Sequence, residues 1–304
     1  MKIILCQPAT KYFAWQVEIA IESYLANGIK AEDIYIVIAD HKDYNLWRPL
    51  FDKYKDINFE TFHDANYNKE YIPCVKPFLM WCFFERYPKL IDSQFFYCDA
   101  DCILTKPLPE FSKNKVYLSD TVSYLGYDYI LSKGQEVLDL MCDTAGISVD
   151  LVKKNQEKSG GAQYVFSGIP TDMWQKAYYD SIKMYKIVSK YNADNYLKYK
   201  GDYPVQIWCS EMWTTLWGFW LQGRETEVVK ELNFTWSTCH IIKMEKTCLL
   251  HNAGVTVEMQ DLFRKFDFTT SLPYKTRLTI NPERSSFYYY NFLKEVGQNT
   301  CLNY

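Results

Sequence analysis

The 304-residue chain carries 34 Lys and Arg against 37 Asp and Glu, a net charge of −3, so no overall field draws it to nucleic acid or acidic membranes. Its ten cysteines form no Cys-x-x-Cys pair, which excludes zinc-ribbon spacing, and no apolar stretch approaches the ~20 residues of a spanning helix. Hydrophobic content of 48% with 23% charged residues suits a globular fold with a real core, and the 17% of aromatics suits a tyrosine-lined cleft or an aromatic interior.

Residues 2–6 read as an apolar strand rather than a signal peptide, so the expected setting is cytoplasmic, the host cytoplasm if the source is a virus, with cysteines reduced and mostly buried. Gln7-Pro8-Ala9-Thr10 breaks that strand. Residues 15–27 show helical periodicity in Val17, Ile21, Tyr24 and Leu25, and Asn27-Gly28 is a good stop. A second strand, 34–39, ends at Asp40-His41. A helix over 46–55, a strand over 57–62, a buried helix over 77–86 and a short strand over 95–97 follow. Strands alternating with helices predict an α/β fold, with a doubly wound, mostly parallel sheet and helices on both faces. Ligands of such sheets bind beyond the carboxyl ends of strands, where Gln7, Pro8, Asp40, Asp99 and Asp101 fall.

Beyond residue 110 the pattern is less regular. It predicts a strand over 116–118, a helix over 134–142, a polar loop over 151–159 and a strand over 164–167. A long helix over 172–190, an apolar helix over 211–221, a strand over 249–251 and a terminal helix over 287–296 complete it. Without repeats or linkers the simplest division is one domain, 1–304, with 1–110 as the nucleotide-binding half and 111–304 as the acceptor- and sugar-binding half.

The run Phe95-Phe96-Tyr97-Cys98-Asp99-Ala100-Asp101 carries the sharpest chemical signal. A strand that stops on Asp-x-Asp points both carboxylates to one side, which suits Mg²⁺ or Mn²⁺ and, through it, a diphosphate. A strand-end turn explains the triplet alone, because Asp is common at turns. His251 would be a third metal ligand beside Asp99 and Asp101, although a lone His is usually structural. Gly160-Gly161-Ala162-Gln163 either brings backbone and a sugar-binding amide to a ligand or is a flexible loop entering a strand. Glu211, opening an apolar helix, either touches sugar and acceptor as a catalytic group or favours the helix N-terminus. Lys76 is placed to meet a phosphate or to sit in solvent. Lys183, Lys186 and Lys190 share one helical face that would suit a DNA backbone or simply be a solvated surface.

Taken together, Asp-x-Asp after an apolar strand, Gly-Gly-x-Gln before another and a late His resemble a GT-A-type glycosyltransferase. Lys76-Pro77-Phe78-Leu79-Met80-Trp81, the run from Asp99 through Pro109, Glu211-Met212-Trp213 through Gln222-Gly223, and Leu249-Leu250-His251 are similar to the hydroxyproline O-arabinosyltransferase family, over roughly 76–254. Ala100 and Cys102 replace the Pro and His of the plant enzymes, which argues against peptidyl hydroxyproline as acceptor. The resemblance implies a UDP-sugar donor, arabinose or galactose, transferred with retention. A soluble, Lys/Asn/Tyr-rich chain also resembles what a phage would use to glycosylate 5-hydroxymethylcytosine in its DNA. In this reading Asp101 and His251 hold Mn²⁺ or Mg²⁺, Asp99 binds metal or ribose, Gln7, Pro8, Asp40, Lys76, Gly160 and Gly161 line the donor, and Gln163 and Glu211 hold sugar and acceptor. The alternatives are lipopolysaccharide or capsule assembly, or a metal-dependent nucleotidyltransferase.

Overall fold

A computed structural model describes residues 1–63, 65–200 and 204–304. Along the chain run β1 (Lys2–Pro8), α1 (Lys11–Ala26), β2 (Ile34–Ala39), α2 (Arg48–Lys53), β3 (Asn58–Phe62), α3 (Val75–Arg86), β4 (Phe95–Tyr97), β5 (Cys102–Leu104) and β6 (Val116–Asp120). Then come α4 (Val122–Leu125), α5 (Tyr127–Ser132), α6 (Gln135–Ala145), α7 (Val149–Lys154), β7 (Gly160–Phe166), α8 (Thr171–Asp194), α9 (Ser210–Leu221), β8 (Thr226–Val228), β9 (Phe234–Trp236), β10 (Leu249–His251) and α10 (Ser285–Gln298). The class is α/β with a large, mostly parallel sheet, as the alternation of periods predicts. No described helix is long and apolar enough to cross a membrane. None of the ten cysteines forms a disulfide.

The chain divides into two compact units, each assembled from separate segments. The first comprises Met1–Asp64, Tyr97–Glu110 and Lys230–Tyr304. Its β1, β2 and β3 pair in parallel, Ile3 opposite Ile34 and Tyr35 opposite Asn58; β1 and β2 are apolar runs buried on both sides, and β3 is half-buried at the edge. Thr10 caps α1 by accepting the Phe13 N–H (3.3 Å), and the chain leaves the helix at Asn27-Gly28, with Gly28 at φ 83°. Glu18, fully buried in α1, anchors the carboxyl-terminal segment. It accepts hydrogen bonds from Tyr274 (2.7 Å), Thr300 (2.6 Å) and Lys53 (3.0 Å), so its buried charge is compensated. A second sheet in this unit has the order β5-β10-β9.

The second unit comprises Ala65–Phe96 and Phe111–Val229. Here β6 pairs antiparallel with β7 and parallel with β8. Trp174 of α8 stands edge-on to Phe219 of α9 (5.9 Å, 88°) and stacks on Phe84 of α3 (6.3 Å, 15°), an aromatic core that absorbs part of the unusual Trp and Phe content. Two expectations are corrected here. The polar stretch 151–159 contains helix rather than loop, since Ser148 caps α7 by accepting the Leu151 N–H. Gly160 and Gly161 lie inside β7 rather than ahead of it. The β6–β7 register shifts between Leu118 and Ser119, where a Cβ on Gly160 would stand 2.4 Å from Leu118 Cβ and 2.6 Å from the Ser119 carbonyl. Gly160→Ala is therefore expected to cost about 2–3 kcal/mol in a urea melt, and an unchanged midpoint would show that the bulge tolerates a methyl group.

Candidate active site

In the first unit β10 pairs antiparallel with β5 and parallel with β9, and the register sets His251 opposite Cys102 on one side and Trp236 on the other. Directly paired residues project to the same face, so thiol, imidazole and indole form a row. The Trp236 ring stacks on the imidazole (4.9 Å, 19°) and Phe234 meets it edge-on (5.2 Å, 64°). The Asn252 N–H donates to the Asp101 carbonyl (2.9 Å), which extends the pairing by one residue. His251 Nε2 then stands 3.3 Å from Asp101 Oδ1, both side chains buried. On the other carboxylate oxygen sits the ammonium of Lys265, which opens a 3₁₀ turn (Lys265–Phe268) and is 15% exposed. Trp15 Nε1 fastens that turn by donating to the Phe268 carbonyl (3.1 Å).

Burial by itself disfavours the Asp101 carboxylate, but Lys265 and His251 outweigh it and hold its pKa well below the usual range. Burial likewise opposes charge on His251, and Cys102 and Asp101 overcome it, so the imidazole titrates well above its ordinary value. Because burial pushes the Cys102 thiol up to about 12, the negative charge felt by His251 is that of Asp101. Burial also raises the nearby Tyr12 phenol to about 12. The result is one carboxylate shared between an ammonium and an imidazole.

A carboxylate oxygen of Asp101, the Cys102 sulfur and an imidazole nitrogen of His251 lie within 4.8 Å of one another, all buried. His251 Nδ1 is buried and has no hydrogen-bond partner among the described residues. Carboxylate and imidazole are ligands for a divalent ion, and a buried ring nitrogen left without a partner marks a place where a ligand is wanted. The residues fit such a cation, and Asp101 and His251 would hold it.

The Asp-x-Asp geometry differs from the expectation. β4 ends at Tyr97, and Asp99 to Cys102 form a turn closed by Cys102 N–H on the Asp99 carbonyl (3.0 Å). Period-two alternation does not apply across a turn, so each carboxylate is placed by its own contacts. Asp101 joins His251, whereas Asp99, partly exposed, accepts from the Tyr97 hydroxyl (2.9 Å) and is outside the Asp101–Cys102–His251 cluster. Gln7, Pro8 and Asp40 are brought together in the same unit: Pro8 pairs with Ala39, so Asp40 follows the carboxyl end of the strand beside it. Asp40 Oδ2 is also 3.4 Å from His63 Nδ1.

In the second unit Lys76 and Glu211, expected to serve donor and acceptor, meet each other. Lys76 Nζ donates to Glu211 Oε1 at 2.8 Å, with the side chains 16% and 8% exposed. The Glu211 N–H donates to the Tyr71 hydroxyl (2.9 Å), which donates to the Trp208 carbonyl (2.7 Å). Gln163 is fully buried in β7, where its N–H points to Ser119 Oγ (3.4 Å). Gly161 is buried in the same strand. Lys183, Lys186 and Lys190 are exposed along α8, opposite the buried Ser181, Met184 and Val188, but Lys190 pairs with Asp194 (2.8 Å) and Lys186 with Glu70 (4.0 Å).

Sequence reasoning missed three groups. Cys102 was legible in principle, since Cys102-Ile103-Leu104 is an apolar strand directly after the acidic triplet. Trp236 lay in a three-residue strand too short for periodicity to register. Lys265 had no local signal, because it lies in an irregular segment without hydrophobic periodicity.

The α/β architecture is similar to that of a solved glycosyltransferase. Among solved structures, the bifunctional glycosyltransferase WbbM superposes with a TM-score of 0.51 at 10% identity, over 99% of this chain and 50% of that one. The chain thus spans about half the length of WbbM. Mouse xyloside xylosyltransferase 1 (TM-score 0.43, 10% identity, 83% of this chain and 96% of that one) and galactosyltransferase LgtC (0.41, 11%, 98% and 96%) are also similar. No protein-family model matches the chain, and no curated protein sequence is similar to it.

Proposed function

We propose that this protein is a metal-dependent glycosyltransferase that moves a sugar, arabinose favoured, from a UDP-sugar to an acceptor hydroxyl with retention. The observation that carries this reading is the buried Asp101–His251 pair, in the same unit as the carboxyl ends of β1 and β2. A divalent ion held there supplies charge stabilisation for the departing diphosphate. The chain's own residues do the rest. Gln7, Pro8 and Asp40 line the nucleotide, and Asp99, fixed by Tyr97, hydrogen-bonds the ribose. In the second unit, Glu211 and Gln163 have the chemistry to hold sugar and acceptor, and Lys76 pairs with Glu211. With retention, the leaving diphosphate takes the acceptor proton, so no separate base is needed.

The lysine stripe of α8 favours 5-hydroxymethylcytosine DNA as acceptor. Acidic partners beside two of its three lysines favour instead a lipopolysaccharide or capsule glycan. The test begins with a thermal-shift screen of nucleotide-sugars with and without Mn²⁺. A UDP-pentose is expected to raise Tm only when Mn²⁺ is present, by mass action on the native state. Mass spectrometry of hydroxymethylcytosine DNA and of glycan acceptors, incubated with the donor that stabilises, then separates sugar transfer from nucleotide transfer. The reading fails if no nucleotide-sugar shifts Tm, or if a nucleotide rather than a sugar appears on the acceptor.

A further inference from the structure

Both oxygens of the Asp101 carboxylate are occupied in this structure. His251 Nε2 takes Oδ1 at 3.3 Å, and the Lys265 ammonium takes Oδ2. Lys265 reaches in from the turn that Trp15 fastens, so the backbone is held while the four-carbon stem keeps its rotatable bonds. In the same position the ammonium is 5.5 Å from the centroid of its neighbour Phe266, a ring that is 54% exposed and stacked on Tyr12 (5.9 Å, 11°). An ammonium and a divalent ion repel, and the low polarity around buried groups strengthens that repulsion. Each therefore weakens the other's hold on a shared carboxylate.

We infer that Lys265 is a tethered counter-cation which closes the Asp101–His251 site and must be displaced before a divalent ion enters. The inference rests on the cation-site reading given above and adds a positioning residue to it. The lysine keeps Asp101 aimed in the metal-free protein, and it sets the metal affinity by competing for the same carboxylate. Coupling of this kind is reciprocal, so whatever the lysine gains from Asp101 is lost to the metal. Removing the ammonium should therefore tighten metal binding, the opposite of what loss of a merely structural side chain would do.

The test is titration of the metal-free, full-length protein with Mn²⁺ in the absence of nucleotide, following the free-ion signal by electron paramagnetic resonance. Lys265→Met is expected to bind Mn²⁺ at least about tenfold more tightly than wild type, the size of an ordinary coupling between sites. Lys265→Gln, which retains a hydrogen-bond donor for Oδ2, guards against a folding defect and should show the same direction. Adding Asp101→Asn should abolish binding in either background. Equal or weaker binding by both Lys265 variants, with wild type still binding through Asp101, overturns the competition and leaves the cation site standing. Failure of every form to bind Mn²⁺ overturns both.

Discussion

Asp101→Asn is expected to lower sugar transfer about 10²–10³-fold and to cost about 3–5 kcal/mol of stability. The two losses have different origins. Transfer falls because the carboxylate that would hold the cation is gone. Stability falls because Lys265 and His251, both partners of that carboxylate, are left facing an amide in a buried site. The variant Asp101→Asn/Lys265→Met separates them, since removing a buried charge together with its partner is far less costly than removing one alone. Urea unfolding of the double variant should recover most of the stability, while transfer stays at the level of Asp101→Asn. If the two substitutions are additive in stability, the carboxylate and ammonium are not coupled, and the electrostatic description of the site is wrong.

The second large effect is expected at Lys76 and Glu211. Their ion pair is nearly dry, so Lys76→Met alone or Glu211→Leu alone should cost about 3–5 kcal/mol, whereas the double variant should lie within about 1–2 kcal/mol of wild type. Activity discriminates between the roles of this pair. If Glu211 only anchors the start of α9, the double variant regains transfer along with stability. If Glu211 holds the acceptor hydroxyl, the double variant is stable and inactive, and Glu211→Gln, which keeps shape and hydrogen bonding, shows a fall in kcat as well.

Much of the first unit was readable from pattern. Strands at Ile34–Ala39 and Leu249–His251 have the predicted bounds, because apolar runs closed by Asp40 and Asn252 leave little freedom there. Asn27-Gly28 ends α1 as expected, for the reason that glycine adopts φ 83° without strain. The joining of Asp101 to His251 was also anticipated, from chemistry rather than from contact. What pattern could not supply was direction. Asp99 and Asp101 look equivalent as a triplet, and only the turn at 99–102 sends one to Tyr97 and the other to His251. Nor can composition show that a lysine and a glutamate separated by more than a hundred residues neutralise each other, as Lys76 and Glu211 do. Gly160 illustrates the same limit, since its small size answers to Leu118 on a neighbouring strand and not to its own segment.

The three-residue pairing of β5 with β10 has a consequence for how this protein can change over time. Asp101 and His251, separated by nearly half the chain, are brought together by a ladder only three rungs long, so the connecting segments are free to drift in length. Losing a single residue within either short strand, however, would turn the imidazole to the opposite face of the sheet and leave the acid alone. Variation among descendants of this sequence should therefore accumulate as insertions between the strands, and almost never within them.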